Sequence, residues 1–433
     1  MKIELTNVSS LKPDGRNART HSPRQIEQIK RSIERFGFNN PILIGDDLRV
    51  MAGHGRLAAA KLLGMTEVPV VRLSHLSADE RRAYILADNQ LALNAGWDQE
   101  ILAIEFQELI DADFDMDVMG FSVSEIDLTL DATKAASPDT SDKGDVIPPL
   151  AAIAVSQHGD MWILGRHRLI CGDAQHPNVY DRLLDGTKAD LILTDPPYNV
   201  PINGHVCGSG KVKHREFAMA CGEMSTIDFA AFLATTLGCA SANARDGALA
   251  YVFMDFRHMK ELMHAGEIIF DGHKQLCVWN KGSGGQGSFY RSQHELVFVY
   301  KIGTAPHLNN FGLGETGRYR TNVWSYPGST SLSKTGASEF AMHPTVKPLR
   351  LVIDAIEDCT RRGDIVLDGF GGSGTTLIAA DRCGRTARMI EYDPIYCDVI
   401  IRRFQAITGK GVVRAGSGVS FDDVAGQRFG EAA

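Results

Sequence analysis

From Gly159 onward the chain repeats one theme, a short apolar run that stops at polar residues and is followed by a stretch of helical length. HRLICGDA ends at Asp173, ADLILTDPPY at Asp195, GALAYVFMD forms a third run, DIVLDGFGGSGTT passes through Asp368, and RTARMIEYDP closes with Glu391 and Asp393. Short apolar runs of this kind fit strands buried on both faces, and strands alternating with helices predict a mostly parallel sheet covered on both sides. In such a sheet ligands collect at the carboxyl ends of strands, where these acids lie. KQLCVWNK and HELVFVYK read as a further strand pair, and HPTVKPLRLVIDAIEDCT begins a helix.

Two strand ends carry chemistry. At the first, Asp195, Pro196, Pro197 and Tyr198 follow an apolar run. Proline fixes its own φ and restricts its predecessor, so Asp195 and the Pro196 carbonyl are held in set directions; taken alone, the same four residues also read as a strand followed by a turn. At the second, glycines at 369, 371, 372 and 374 leave the backbone bare between a strand and a helix. No lysine follows the last glycine, and no Lys or Arg lies in the turn, which argues against a polyphosphate. The next strand ends at Glu391, placed to accept the hydroxyls of a ribose. A nucleoside without phosphate, such as S-adenosylmethionine, suits that pair.

Together these segments resemble the β-class amino-group DNA methyltransferases, in which the catalytic DPPY segment precedes the cofactor turn. The resemblance covers roughly residues 155 to 415 and rests on Asp195 to Tyr198, HPTVKP at 343 to 348, and Asp368 to Thr376, in that order. It implies an α/β, Rossmann-like S-adenosylmethionine-dependent methyltransferase fold. It also implies that Asp368, Phe370, Gly371, Gly372, Gly374 and Thr375 hold the methionine part of the cofactor and Glu391 its ribose. Thr345 and Lys347 would lie near the cofactor carboxylate, and Asp173 near the adenine or, equally, in a capping or turn role. Asp195 and the Pro196 carbonyl would accept the hydrogens of an exocyclic amine and draw its nitrogen out of conjugation. The base would be flipped from double-stranded DNA and stacked on Tyr198. Adenine N6 is the favoured target, because Asp before PPY goes more often with adenine; cytosine N4 stays open. An RNA or protein-glutamine methyltransferase is disfavoured by the motif order. No Pro-Cys nucleophile occurs, and no metal site is expected.

The first 75 residues read as a small α+β unit. SPRQIEQIKRSIERFG has a Ser22 cap, Pro23 in the first turn and a stop at Gly37. PILIGDD, LRVMAGHG and VPVVRL read as strands, with a helix ending at Gly64. This segment resembles the ParB/sulfiredoxin-like domain, whose glycine turn binds a nucleotide phosphate. Here the turn is Gly53, His54, Gly55 and Arg56, which implies a nucleotide or phosphate site, although His-Gly-Arg replaces the partition proteins' Glu-Arg-Arg. Residues 76 to 130 read as a helical extension, with Ser77 and Glu80 spaced as a capping box. Residues 131 to 150 read as a linker, 151 to 415 as the methyltransferase domain, and 416 to 433 as a tail.

Net charge is −8, yet the charge is segregated: residues 97 to 145 hold 14 Asp and Glu against 2 Lys and Arg, while residues 272 to 350 hold 9 Lys and Arg against 3 acids. DNA contacts are therefore expected in insertions near 200–225 and 282–340, through Lys211, Lys213, Arg215, Arg291, Arg318 and Arg320. The eight cysteines form no C-x-x-C pair, which argues for a reduced compartment, and the absence of a leader-like start or an 18-residue apolar run points to the cytoplasm rather than a membrane. A homodimer is compatible with the chain but specified by nothing in it. A ParB-like DNA-binding regulator with a vestigial methyltransferase half is the competing reading from another class.

Overall fold

The computed structural model describes residues 2–112, 114–134, 147–151, 153–200, 220, 222–282, 284, 289–312, 318–328 and 347–430. Lys211, Lys213, Arg215 and Thr345 lie outside the described residues. The chain divides into two units, residues 1–137 and 138–433.

In the first unit, β1 (Ile3–Asn7), β2 (Ile42–Ile44), β3 (Val50–Ala52) and β4 (Glu67–Arg72) make a sheet in the order β1-β4-β2-β3. α1 (Pro23–Phe36) begins with the Ser22 side chain accepting the Gln25 N–H and ends at Gly37, whose φ of +84° suits glycine. α2 (His54–Leu62) packs Leu57 and Ala60 against Ile42, Ile44, Val50, Val68 and Val70 of the sheet. The capping box forms at α3 (Ala78–Leu93): Glu80 accepts the Ser77 N–H at 2.8 Å while the Ser77 hydroxyl accepts from Glu80 N–H at 3.4 Å. α4 (Gln99–Asp111) and α5 (Val123–Lys134) share a small core of Ala103, Phe106, Ile126 and Leu130.

Among its described residues the second unit holds ten strands: β5 (Met161–Leu164), β6 (His167–Cys171), β7 (Ala189–Thr194), β8 (Ala244–Met254), β9 (Gly272–Asn280), β10 (His294–Lys301), β11 (Val323–Ser325), β12 (Ile365–Asp368), β13 (Thr386–Glu391) and β14 (Val413–Arg414). They form one sheet in the order β11-β9-β10-β8-β7-β12-β13-β6-β5-β14. The central five, β8-β7-β12-β13-β6, are parallel, as the strand-helix alternation predicts. Antiparallel β10 and β9 extend one side, and β5 and β14 the other.

The helices of this unit are α6 (Pro177–Leu184), α7 (Thr226–Ala242), α8 (Met259–Ile269), α9 (Leu349–Cys359), α10 (Thr375–Arg382), α11 (Pro394–Thr408) and α12 (Phe421–Gly430). Strand side chains alternate between two cores: Leu191 and Leu193 join Leu351, Ile356 and Ile400, whereas Ile192 joins Phe229 and Leu233. The stretch 416–433, expected as a tail, carries α12, and its Phe421 and Val424 are buried, with the Phe421 ring 5.2 Å from that of Trp162. Among the described residues no helix is long and apolar enough to cross a membrane.

Strand order positions the site. After β7 the chain moves outward to β8, and after β12 it moves the opposite way to β13, although β7 and β12 are neighbours. A crevice opens where two such connections diverge. The two strand ends singled out in the sequence, Asp195 and Asp368, flank that crevice.

Candidate active site

β7 and β12 pair with Ile192 level with Leu367, and a bond from Thr194 Oγ1 to Asp368 Oδ1 at 3.0 Å ties their ends together. Asp368 is further engaged by Phe370 N–H at 3.0 Å and by Thr376 Oγ1 at 2.7 Å. Burial pushes this carboxyl up to about 7, against the pull of those bonds. Its contacts organise the glycine turn from within. Gly372 and Gly374 have φ of +51° and +82°, values a side chain would strain. Beneath the turn the fully buried Arg403 of α11 donates to Ser373 O at 2.7 Å and to Thr375 Oγ1 at 3.1 Å.

Glu391, at the end of β13, accepts Gly372 N–H at 2.7 Å on one oxygen and Asp393 N–H at 2.8 Å on the other. These bonds orient the carboxylate and leave lone pairs on both oxygens, while burial raises it to about 7. A single cleft is lined by Asp195 to Tyr198, Lys347, Asp368, Phe370 to Ser373, Thr375, Thr376 and Glu391, with Phe253, Tyr392 and Tyr396 among its walls. Among the described residues, Lys347 is the one basic residue of that lining.

The polar centre of the cleft is a chain of alternating charge. Tyr198 donates to Asp195 Oδ1 at 2.5 Å, and Lys347 Nζ donates to Asp195 Oδ2 at 2.6 Å. Lys347 Nζ also lies 3.2 Å from Glu295 Oε2, and Lys281 pairs with the other Glu295 oxygen. The Lys347 ammonium sits 5.0 Å from the Phe253 ring centroid, 5.7 Å from that of Tyr198 and 5.8 Å from that of Trp279. Burial raises the Asp195 carboxyl even though Lys347 opposes it. For Glu295 burial acts the same way, but Lys347 and Lys281 together outweigh it and hold it below its ordinary value. Lys347 itself is held above its ordinary value, since its two carboxylates overcome desolvation.

Comparison with known proteins agrees with both halves. A family model described as DNA methylase matches residues 189–402, the ParB N-terminal domain matches residues 2–90, and the ParB-methyltransferase HTH domain matches residues 100–158. The chain joins a ParB N-terminal domain to a DNA methylase domain. For the ParB half, the ParB-like nuclease domain-containing protein YnaK of Escherichia coli (strain K12) is 43% identical over 82 residues, which is 19% of this chain and 94% of that protein. For the methylase half, the type II methyltransferase M.ScaI of Streptomyces caespitosus is 34% identical over 21% of this chain and 30% of its own length. The type II methyltransferase M2.MboI of Moraxella bovis is 32% identical over 28% and 44%. The match thus spans less than half the length of either methyltransferase.

Within the methylase domain, most expected site residues converge, but some do not. Asp173 is absent from the cleft lining; its Oδ1 accepts the Gln175 N–H at 2.9 Å, the turn role weighed against adenine contact. Lys347, expected beside a cofactor carboxylate, bonds Asp195. Arg291 is exposed, as a DNA contact would be. Arg318 and Arg320 correct an expectation. Arg318 is 6% exposed and bonds Glu357 at 2.8 Å and Asp358 at 3.0 Å, while Arg320 bonds Asp358 at 2.9 Å and Tyr326 at 2.8 Å. Both guanidiniums neutralise acids of α9 and are withdrawn from phosphate.

Glu295, Lys281, Phe253 and Trp279 were not expected in the site. The available signal for Glu295 was an acid lying inside the otherwise apolar run HELVFVYK. In the ParB domain Gly53 precedes α2 at φ +102°, and His54 Nε2 accepts the Asp14 N–H at 3.2 Å. Arg56 turns back to donate to Pro41 O at 3.3 Å, and desolvation holds it below its ordinary value.

Proposed function

We propose that the methylase domain moves a methyl group from S-adenosylmethionine to the exocyclic amine of a base flipped out of double-stranded DNA, with adenine N6 as the target. The observation that carries this reading is the juxtaposition of the Asp-Pro-Pro-Tyr strand end and the glycine turn across one crevice, tied by the Thr194–Asp368 bond. The residues present fit the cofactor. Bare backbone at Gly371 and Gly372 admits close approach, Glu391 offers an oriented acceptor pair for ribose hydroxyls, and the acidic wall of Asp368 and Asp195 suits a cation. When bound, S-adenosylmethionine supplies a methyl group activated by its sulfonium.

The chain's own contribution is alignment and electrostatics. An exocyclic amine is a weak nucleophile because its lone pair is shared with the ring. Asp195 and the Pro196 carbonyl, at the start of the rigid Pro-Pro segment, accept the two amine hydrogens, favour a pyramidal nitrogen and stabilise the positive charge that grows on it. Tyr198 lines the cleft with its ring, a face on which an extruded base stacks. The amine proton leaves after transfer, with Asp195 the nearest carboxylate to receive it or pass it to water. We further propose that the basic rim near Arg291 meets DNA, and that the Gly53–Arg56 turn of the ParB domain holds a nucleotide phosphate on the amides that open α2.

The test is incubation of the full chain with methyl-labelled S-adenosylmethionine and duplex DNA, followed by nucleoside analysis. Labelled N6-methyladenine is the expected product. Labelled N4-methylcytosine would move the target, and an unlabelled duplex together with no cofactor binding would refute the reading.

A further inference from the structure

In the structure both Asp195 oxygens are already occupied, Oδ1 by the Tyr198 hydroxyl and Oδ2 by the Lys347 ammonium. Each oxygen keeps a further lone pair, but the ammonium on Oδ2 neutralises the charge that an arriving amine has to draw on, so the amine and Lys347 compete for Asp195. Glu295 Oε2 is an alternative acceptor for both donors, 3.2 Å from Lys347 Nζ and 3.4 Å from the Tyr198 hydroxyl, and of the two Lys347 carries the charge that a second carboxylate satisfies best. The ammonium is 7% exposed as a residue and sits among Phe253, Tyr198 and Trp279, so it cannot simply move to water. We propose that Glu295 is a positioning residue that takes over the Lys347 ammonium when the target amine arrives, so that Asp195 is released for the reaction. This rests on the reading of Asp195 as the amine acceptor.

The geometry suits such an exchange. Glu295 enters from β10, Lys281 from just beyond β9, Asp195 and Tyr198 from the end of β7, and Lys347 from the segment before α9, so the five groups come from four separate supports. Lys281 anchors one Glu295 oxygen and leaves the other facing Lys347 and the Tyr198 hydroxyl. Glu295 is thus kept ionised by two lysines and stays a competent acceptor, whereas Asp195 holds Lys347 with only a tyrosine hydroxyl beside it. Asp255 near Tyr198 and Asp368 near Asp195 are the other acids whose charge reaches this group. During the exchange Lys347 keeps its proton and moves from one carboxylate to another, so the net charge of the cleft does not change.

The consequence is a specific defect in Glu295→Gln. Glutamine keeps the shape but offers Lys347 no charge, so Lys347 remains on Asp195 and competes with the amine. Single-turnover methyl transfer by the full chain is expected to fall by about tenfold or more at pH 7.5. It is then expected to recover as pH rises, because Lys347, relieved of one of its two carboxylates, loses its proton at lower pH and releases Asp195. The wild type should show no such recovery. A second readout is independent of turnover: lysine carbon-13 resonances in chain labelled at lysine Cε, with Lys347 assigned by Lys347→Arg, should titrate at lower pH in Glu295→Gln than in the wild type. Glu295→Asp, which retains the charge, should keep the wild-type pH profile.

A Glu295→Gln protein with the wild-type rate, or a slowed one whose profile and Lys347 titration match the wild type, overturns the proposal. An inactive wild type would instead refute the proposed function, and the titration would still decide whether Glu295 and Lys347 are linked. Should Glu295→Gln fail to fold, Glu295→Asp carries the test, and a rate that then rises with pH overturns the proposal.

Discussion

Asp368→Asn should make the apo protein more stable at pH 8 while weakening its hold on the cofactor. Every bond Asp368 makes is one an asparagine can keep: the amide oxygen accepts from Phe370 N–H and Thr194 Oγ1, and the amide nitrogen donates to Thr376 Oγ1, whose hydroxyl can rotate. What the substitution removes is a buried charge. The carboxyl titrates at about 7 in the folded protein against an ordinary 3.8, so between those values the folded state binds more protons than the unfolded one. Stability therefore falls as pH rises through that window and levels off above it. At pH 8 the penalty amounts to about 4 kcal/mol, and at pH 5 to between about 1 and 2 kcal/mol. Asparagine carries neither. Urea unfolding of both proteins at pH 5 and pH 8 measures the gap, followed by tryptophan fluorescence, since Trp162, Trp279 and Trp324 lie in the unit that contains Asp368. In the same samples calorimetry should show weaker binding of the cationic cofactor by Asp368→Asn. A gap that is absent at pH 8, or equal at the two pH values, would refute the argument that burial rather than bonding sets this group's cost.

Three further outcomes follow from the geometry. Asp195→Asn should lower single-turnover methyl transfer about a hundredfold or more, since it removes the negative acceptor for the developing charge, while calorimetric cofactor affinity changes little. Arg318→Ala should cost about 3 to 5 kcal/mol in urea unfolding, because Glu357 and Asp358 lose a buried partner; a DNA-binding defect with unchanged stability would contradict its placement. Phe289 and Tyr290 are 87% and 82% exposed, with ring centroids 4.5 Å apart, on the loop that links the β9 end carrying Lys281 to the β10 start carrying Glu295. Truncating either to alanine should weaken DNA binding by about 1 to 3 kcal/mol in fluorescence anisotropy if each stacks on a base, and leave the thermal midpoint unchanged.

What the sequence could disclose depended on the range of the physics involved. The glycine turn was legible because its demands are local: backbone that adopts φ values of +51° and +82° requires glycine wherever the strand and helix happen to lie. Helix starts at Ser22 and Ser77 were legible for the same reason, since a cap is satisfied within three or four residues. The sheet's parallel centre followed from alternation, but its antiparallel margins at β5 and β14 did not, being short and carried by few residues. α12 was missed because the buried side chains described on it, Phe421 and Val424, find their partners on elements more than 250 residues earlier as well as nearby. The two arginines at 318 and 320 were misread for a related reason. Arginines in a glycine-rich loop look exposed, and what withdraws these two lies on α9, where Asp354, Glu357 and Asp358 share one helical face three and four residues apart.

The active-site acids show the limit most clearly. That Asp195 ends a strand was readable from ten residues, and its role in holding an amine could be argued from their chemistry. Its state could not, because that is set by Lys347, 152 residues away in sequence, and by Glu295 between them. Strand order supplies the reason they meet. β10 pairs antiparallel to β8, so the start of β10 reaches the same edge of the sheet as the ends of β7 and β8. An antiparallel strand inserted beside a parallel set thus delivers its first residues, rather than its last, to the crevice. Reading only strand ends for polar residues finds Asp195, Asp368 and Glu391 and passes over Glu295, which stands at a strand's beginning. In a mixed sheet the search for site residues has to take the carboxyl ends of the parallel strands together with the amino ends of their antiparallel neighbours.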